Sequence, residues 1–421
     1  RSCGRKHKTF YIKIFKKDDG TYESMLQRVY RQIKKVDVDA NVTIATSKTQ
    51  VSAIHNQIGL GVSVSVEPHR RDTFPAIALA TVYLVDIMKI NPEESVVVCP
   101  VDPYVNDDYF VALKKLEEQA DKGEANLVLM GIEPTYPSEK YGYIIPETAN
   151  KIAKVSTFKE KPTTEVAKRY IKQGALWNGG VFAYKLKYVL ERAHELIDFE
   201  DYNDLFAKYD TLSKISFDYA VVEQENNIQV MRFSGEWKDL GTWNTLTEAM
   251  EEDIIGKGQM NNNCSGVNIV NELDVPILAM GLHDVVISAS AEGILVSDKE
   301  QSSYIKPFVD SFEQEVMFAE KSWGLYRVID VENESMTIKV VLNPGSKMNY
   351  HSHDRRDEVW VVISGEGETI VDGMRQSVKT GDVITMAAGC RHCIYAKTEL
   401  KIIEVQLGKD ISVTDKKKYN E

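Results

Sequence analysis

The apolar spacing of this chain changes period once, and that change limits what the chain can fold into. Up to about residue 250, short β-branched runs alternate with stretches of helical spacing. "NVTIAT" (41–46), "SVSVEP" (63–68), "SVVVCPVD" (95–102) and "ANLVLMGI" (125–132) read as strands, and "AIALATVYLVDIMK" (76–89) and "VALKKLEEQADKG" (111–123) as helices. Near-continuous apolar strands separated by helices predict an α/β domain, a Rossmann-like and mostly parallel sheet covered on both faces. After about residue 320 the pattern is all-β: "LYRVIDV", "MTIKVVL", "EVWVVISGEGETIVDG", "GDVITMAAG" and "LKIIEVQLG" are separated by Gly, Pro-Gly and Asp-Gly turns. Between about 258 and 310, "GVNIV", "PILAMG", "DVVISAS" and "GILVSD" predict a short β-solenoid-like connector. The expected division is 1–255, 256–318 and 319–421.

Composition narrows the function classes. At 421 residues the chain is long enough for two or three domains. A net charge of −12 argues against non-specific nucleic-acid binding and offers no basic stripe to a membrane surface. An anionic substrate is compatible with it, because a phosphate site needs only local positive charge. No apolar run approaches the roughly 20 residues of a membrane span. Five cysteines (Cys3, Cys99, Cys264, Cys390, Cys393) are too few for a disulfide scaffold, so a reducing cytoplasm is expected. The opening "RSCGRKHKTF" lacks the apolar centre of a secretory signal and does not start with Met, so the true start is expected upstream.

Near the C-terminus the chain reads "YHSHDRRDEVWVV" (350–362). Gly345 is followed by five residues, His351-Ser-His353, four residues, Glu358, six residues and Gly365, and "GDVITMAAGCRH" later runs from Gly381 to His392. Residues two apart in a strand share a face, so His351 and His353 aim the same way. Glu358 follows on the next part of the strand, and His392 can reach the same place from a paired hairpin. Three imidazoles and a carboxylate suit a borderline divalent ion such as Zn, Fe, Mn or Ni. Cys390 and Cys393 flank His392 in a C-x-x-C but read as packing residues on a β-turn. The spacing resembles the cupin family, whose first motif it matches in full. The second motif matches at Gly381, Gly389 and His392 and departs at Ala387 and Ala396, where the family has Pro and Asn. The alternative is a barrel interior lined by polar residues without an ion.

In the first part, Asp102 ends a buried strand within "VVVCPVDPYVNDDYF", and the carboxyl ends of strands are where open α/β sheets bind ligands. A second carboxylate, Asp239, lies in "GEWKDLGTW" between aromatics. Two such aspartates can hold one Mg²⁺ against the phosphates of a nucleotide. Taken singly, each is as well read as a cap or turn residue.

Seven stretches then occur in order: "VEPHRRDTFPAIALA", "VVVCPVDPYV", "GIEPTYPSEKYGYI", "FKEKP", "GALWNGGVFAY", "SFDYAVVE" and "EWKDLGTW". Together they resemble the mannose-1-phosphate guanylyltransferases over about residues 20 to 320, with the cupin-like domain appended as in the bifunctional guanylyltransferase/phosphomannose isomerase group. The resemblance implies that Asp102 and Asp239 are metal aspartates, and that Glu67, Pro68, Asp72 and Thr73 face the guanine base together with Asp102 at the nucleotide. It implies that Gly142, Tyr143, Glu160 and Asn178 are sugar contacts, and that Lys161 meets the sugar phosphate as a compact positive charge. The implied substrates are GTP and mannose-1-phosphate, the implied reaction is in-line attack on the α-phosphate of GTP with release of pyrophosphate, and a homodimer is expected. On their own, Glu160 and Lys161 read as a charged loop, Asn178 and Gly179 as a turn, and Tyr143 as core.

Two departures follow. The family opens with a strand and a Gly-rich signature that cradles the triphosphate, and this sequence joins the family pattern only at about "IKIFK", with Lys8 at the place of the signature lysine. Weak GTP binding and poor turnover are therefore expected of the chain as written. In the isomerase motif Q-x-H-x-x-R-x-E-x-W, His351 stands at the Gln position, while His353, Arg356, Glu358 and Trp360 fit. The C-terminal domain then isomerises mannose-6-phosphate, binds a sugar or stabilises a dimer. The rival readings for the chain are a transferase for another base or sugar-1-phosphate, and a non-catalytic sugar or nucleotide-sugar binding protein.

Overall fold

The computed structural model describes residues 10–310, 317–409, 411 and 415–419; Lys8 and the rest of the opening segment lie outside the described residues. Contacts divide the chain into two compact units, Phe10–Val51 with Ile58–Gly241, and Ser52–Gln57 with Thr242–Glu421.

The first unit contains helix α1 (Met25–Val36), strands β1 (Thr43–Ser47) and β2 (Ser63–Glu67), helix α2 (Thr73–Val82), strands β3 (Ser95–Val98) and β4 (Pro103–Val105), and helix α3 (Asp107–Asp121). There follow β5 (Leu127–Ile132), β6 (Tyr143–Pro146), β7 (Ile152–Lys159), β8 (Leu176–Lys185), helix α4 (Leu186–Leu196), β9 (Ile228–Phe233) and β10 (Trp237–Asp239). Six strands form one sheet in the order β3-β8-β5-β9-β7-β6. Every residue of β5 is buried. Alternate side chains serve opposite faces: Leu127 and Leu129 join Phe74, Ile77 and Val189 of α2 and α4, while Val128, Met130 and Ile132 join Tyr109, Leu113 and Leu116 of α3. This accounts for the unbroken apolar reading of that strand.

The α/β class is as expected, but the sheet is mixed rather than mostly parallel. Within the six strands only β5–β9 is a parallel pair, with β1–β2 parallel beside them. β6 and β7 are separated by residues 147–151, too few for the crossover a parallel pair needs. β8 runs against β3, β5 and β6. Its register with β5 shifts between Asn178 and Phe182, and Gly180 there takes φ +69°. "NGG" is thus a bulge within a strand, a device that re-aims the neighbouring side chain.

The second unit begins with a short coil of strands: β11 (Ile254–Ile255), β12 (Gly258–Met260), β13 (Asn268–Asn271), β14 (Ile277–Ala279), β15 (Val285–Ser290) and β16 (Gly293–Asp298). The pairs β11–β13, β13–β15 and β12–β14 are all parallel, the signature of a solenoid, around Val267, Ile269, Ala279 and Ile287. The rest is all-β: β17 (Phe318–Lys321), β18 (Gly324–Glu332), β19 (Ser335–Leu342), β20 (His351–Ser352), β21 (Asp357–Ser364), β22 (Glu366–Val371), β23 (Met374–Lys379), β24 (Val383–Met386), β25 (His392–Ala396), β26 (Leu400–Leu407) and β27 (Lys417–Lys418). Two sheets, β17-β18-β19-β26-β21-β24 and β23-β22-β25-β20-β27, share one core that includes Val340, Leu342, Trp360, Ile394 and Ile402. This is the double-sheet cupin architecture. No helix among the described residues is long and apolar enough to cross a membrane.

Candidate functional site

In the all-β region, strand pairing sets His351 of β20 directly opposite His392 of β25. His353 lies two residues on, and Glu358 enters from the start of β21. All four residues are buried, and one ligand atom from each lies within 4.8 Å of the others. The outer ring nitrogens are held by main-chain carbonyls. His351 Nδ1 lies 2.6 Å from Asn349 O, His392 Nδ1 lies 3.0 Å from Cys390 O, and His353 Nδ1 contacts Asp415 O. A carbonyl can only accept, so each Nδ1 carries a proton and Nε2 is the ring atom left for an ion at His351 and His392, while His353 Nε2 accepts from Arg356 Nη2 at 3.0 Å.

Burial pushes the His351 imidazole down to about 2 and that of His353 down to about 4, so both are neutral, the ligating form. Glu358 Oε1 accepts from Arg356 Nε at 2.9 Å and lies 3.1 Å from His353 Nε2. Glu358 Oε2 and His392 Nε2 face each other at 3.2 Å, and neither has a hydrogen-bond partner among the described residues. Two buried acceptors left facing one another are what a cation between them would relieve. The donor set therefore fits a divalent ion. Cys393 is fully buried and belongs to the core, in keeping with a packing role.

In the first unit the predicted residues come from six separate stretches. Asp239 ends β10, which pairs antiparallel with β4 so that Asp239 lies opposite Pro103, and Leu240 N donates to Asp102 O at 3.3 Å. The two aspartates thus sit on neighbouring strand ends. Burial pushes the Tyr141 hydroxyl well up, and Asp239, Tyr136 and Asp102 push it the same way. Tyr141 also packs on Trp177 and Trp237, with ring centroids 4.9 Å and 5.5 Å apart. It links the Asp239 strand to Gly142.

Around Gly142 the sugar-side residues converge. Asn178 N donates to Gly142 O at 2.8 Å. A Cβ at Gly142 would stand 2.4 Å from Glu160 Oε2 and 3.3 Å from Asn178 Cβ, so any side chain there would displace the Glu160 carboxylate. Glu160 pairs through Oε1 with Lys161 Nζ at 3.0 Å, its side chain only 7% exposed. Its Oε2 is buried without a hydrogen-bond partner among the described residues. Lys161 takes φ +43°, a strained backbone for a side chain of this kind, with its ammonium at an exposed position.

Tyr143 lies in the interior. Its side chain is fully buried, and its hydroxyl accepts from Ser138 N and Trp177 Nε1 and donates to Ser138 O. With those bonds made, the side chain serves the core, and only its backbone remains for a ligand.

The base-side segment is a strand end, a loop and a helix start. Glu67 closes β2 and accepts from the Tyr209 hydroxyl at 2.9 Å, and burial raises its carboxyl. After Pro68, Asp72 takes φ +74° and caps α2 by accepting from Thr73 N. Thr73 Oγ1 accepts from Phe217 N at 2.8 Å, which ties this segment to "SFDYAVVE".

Sequence reading missed Asp218. Its carboxylate accepts from Asn178 Nδ2 at 2.6 Å. Burial and the neighbouring Glu160 push the Asp218 carboxyl up to about 6. The available signal was an acidic residue at the start of a one-turn helix inside a matched motif. Arg356, whose place in the C-terminal motif implies no role by itself, pairs with Glu358.

Comparison with known proteins gives the family. The nucleotidyl transferase model matches residues 9–254, and the model described as mannose-6-phosphate isomerase C-terminal matches residues 311–421. The chain is 26% identical to a putative mannose-1-phosphate guanylyltransferase of Vibrio cholerae, over 94% of this chain and 92% of that protein. It is 27% identical to a mannose-1-phosphate guanylyltransferase of Salmonella typhimurium (91% and 87%) and to a xanthan biosynthesis protein of Xanthomonas campestris (93% and 90%). A solved structure described as mannose-1-phosphate geranyltransferase from Thermus thermophilus shares the fold, with TM-score 0.57 and 24% identity over 70% of this chain and 90% of that one. Since the first match takes in more than half of the sequence, the chain belongs to the nucleotidyl transferase family.

Proposed function

We propose that this chain makes GDP-mannose from GTP and mannose-1-phosphate. An oxygen of the sugar phosphate attacks the α-phosphorus of GTP, the α–β anhydride bond breaks, and pyrophosphate leaves. The observation that carries the sugar side is the buried, unpartnered Glu160 Oε2 beside Gly142 and Asn178. A buried carboxylate oxygen without a donor is unfavourable alone and is satisfied by a ligand hydroxyl. Lys161 next to it supplies the positive charge a sugar phosphate needs. Asp102 and Asp239 would hold Mg²⁺, which supplies charge neutralisation at the phosphates. Glu67, Pro68, Asp72 and Thr73 form the base side. The boundaries 1–255, 256–318 and 319–421, a homodimer and a cytoplasmic location go with this reading. Pyrophosphate release with a panel of nucleotides and sugar-1-phosphates tests it; release with another pair and none with GTP and mannose-1-phosphate rejects it.

A second activity is favoured by the C-terminal centre. His351, His353, Glu358 and His392 would hold Zn²⁺ or another divalent transition ion, which polarises a carbonyl or hydroxyl oxygen when bound. Arg356, buried against Glu358, adds a fixed cation. Isomerisation of mannose-6-phosphate is the reaction this region is proposed to perform. A coupled assay for fructose-6-phosphate on metal-loaded protein tests it, and metal-loaded protein without activity rejects it.

A further inference from the structure

Asn178 is held at both ends. Its Oδ1 accepts from Gly180 N at 3.1 Å, across the bulge, and its Nδ2 donates to Asp218 Oδ1 at 2.6 Å. Reversing the carboxamide would set its oxygen against a carboxylate and its NH₂ against an N–H. The orientation is therefore fixed by two opposed partners, of which only Asp218 is a side chain. Asp218 itself is set by the turn in which it lies. Ser216 caps that turn by accepting from Tyr219 N, and Phe217 N donates to Thr73. The charged groups facing Asp218 are Glu160 and Lys161, the pair whose free Oε2 lies beside Gly142.

We infer that Asp218 is a positioning residue for the sugar phosphate, acting through Asn178, whose carboxamide it holds in one orientation next to Gly142 and Glu160. The inference rests on the guanylyltransferase reading, since it takes the Gly142–Glu160–Asn178 cluster as the sugar side. It goes beyond that reading by naming a residue that touches no substrate and by separating sugar-phosphate affinity from nucleotide affinity.

The test is steady-state pyrophosphate release by the full chain, with mannose-1-phosphate and GTP varied in turn, for wild type, Asp218→Ala, Asp218→Asn, Asn178→Ala and the Asp218→Ala/Asn178→Ala double variant. Losing a hydrogen bond to a charged group corresponds to about tenfold or more. Asp218→Ala is expected to raise KM for the sugar phosphate by that factor and leave KM for GTP within about twofold. Asp218→Asn, whose amide oxygen can accept the same bond, is expected to recover most of the loss. Two residues acting as one unit are non-additive, so the double variant should be no worse than Asn178→Ala. Asp218→Ser stands in with the same expectations where the alanine variant does not fold. Multiplying losses in the double variant, equal rises in both KM values, or no effect of Asp218→Ala overturn the inference while the functional reading stands. A wild-type chain that neither releases pyrophosphate with any pair nor binds mannose-1-phosphate overturns both.

Discussion

The two centres of this molecule are built in opposite ways. At the C-terminal centre, three of the four ligand-type residues lie within eight positions, and strand geometry alone turns them to one point. The first-unit cluster draws on stretches spread from Glu67 to Asp239, joined by a bulge, a one-turn helix and a pairing of two three-residue strands. A compact centre is specified by its own strands. A dispersed one is specified by the whole fold around it, so distant changes should reach it more readily.

The largest effect should come from the dispersed site. Asp239→Asn or Asp102→Asn is expected to lower pyrophosphate release by about a hundredfold or more at unchanged folding, because each removes a charge proposed to hold the cation. Activity within a few-fold of wild type would remove these residues from the mechanism. Next, His353→Ala should cut divalent-metal affinity by about two orders of magnitude, read by equilibrium dialysis, while guanylyl transfer stays within twofold. Loss of both activities together would mean that the centres are not separate.

The third prediction concerns pH. The folded His351 and His353 bind protons only near 2 and near 4, below the usual 6.5, so between 6.5 and those values the unfolded chain holds more protons. Stability of metal-free protein is thus full above about 6.5 and falls with acid, by on the order of 3 kcal/mol for His353 alone by pH 4. A C-terminal melting transition that does not move between pH 7 and pH 4 would contradict this. The smallest effect is expected at Tyr143. Tyr143→Phe strands the Ser138 N–H and Trp177 Nε1–H and should cost about 1–3 kcal/mol, with KM for the sugar phosphate within twofold. A large KM change would return the hydroxyl to the sugar site.

Legibility followed the same division. The α/β region, the solenoid pairing and the all-β region were readable because hydrophobic period differs between them. Sheet direction was not: β5 and β8 are buried on both faces, and such a run looks alike whether its neighbours are parallel or antiparallel. His351, His353, Glu358 and His392 followed from spacing, since a period of two converts position directly into direction. Asp218 could not be found that way. Its relation to Asn178, forty positions earlier, exists only once the bulge at Gly180 has turned the asparagine. Tyr143 shows the converse: a residue inside a matched motif whose side chain the local packing claims for the core.

The carbonyls that grip His351 and His392 belong to Asn349 and Cys390, and a peptide group is the same whatever side chain it bears. Evolution is therefore free to rewrite those two letters without loosening the imidazoles. A deep mutational scan would find both places tolerant, although their main chain does the aiming, and only a backbone-altering change such as proline one residue onward would expose it.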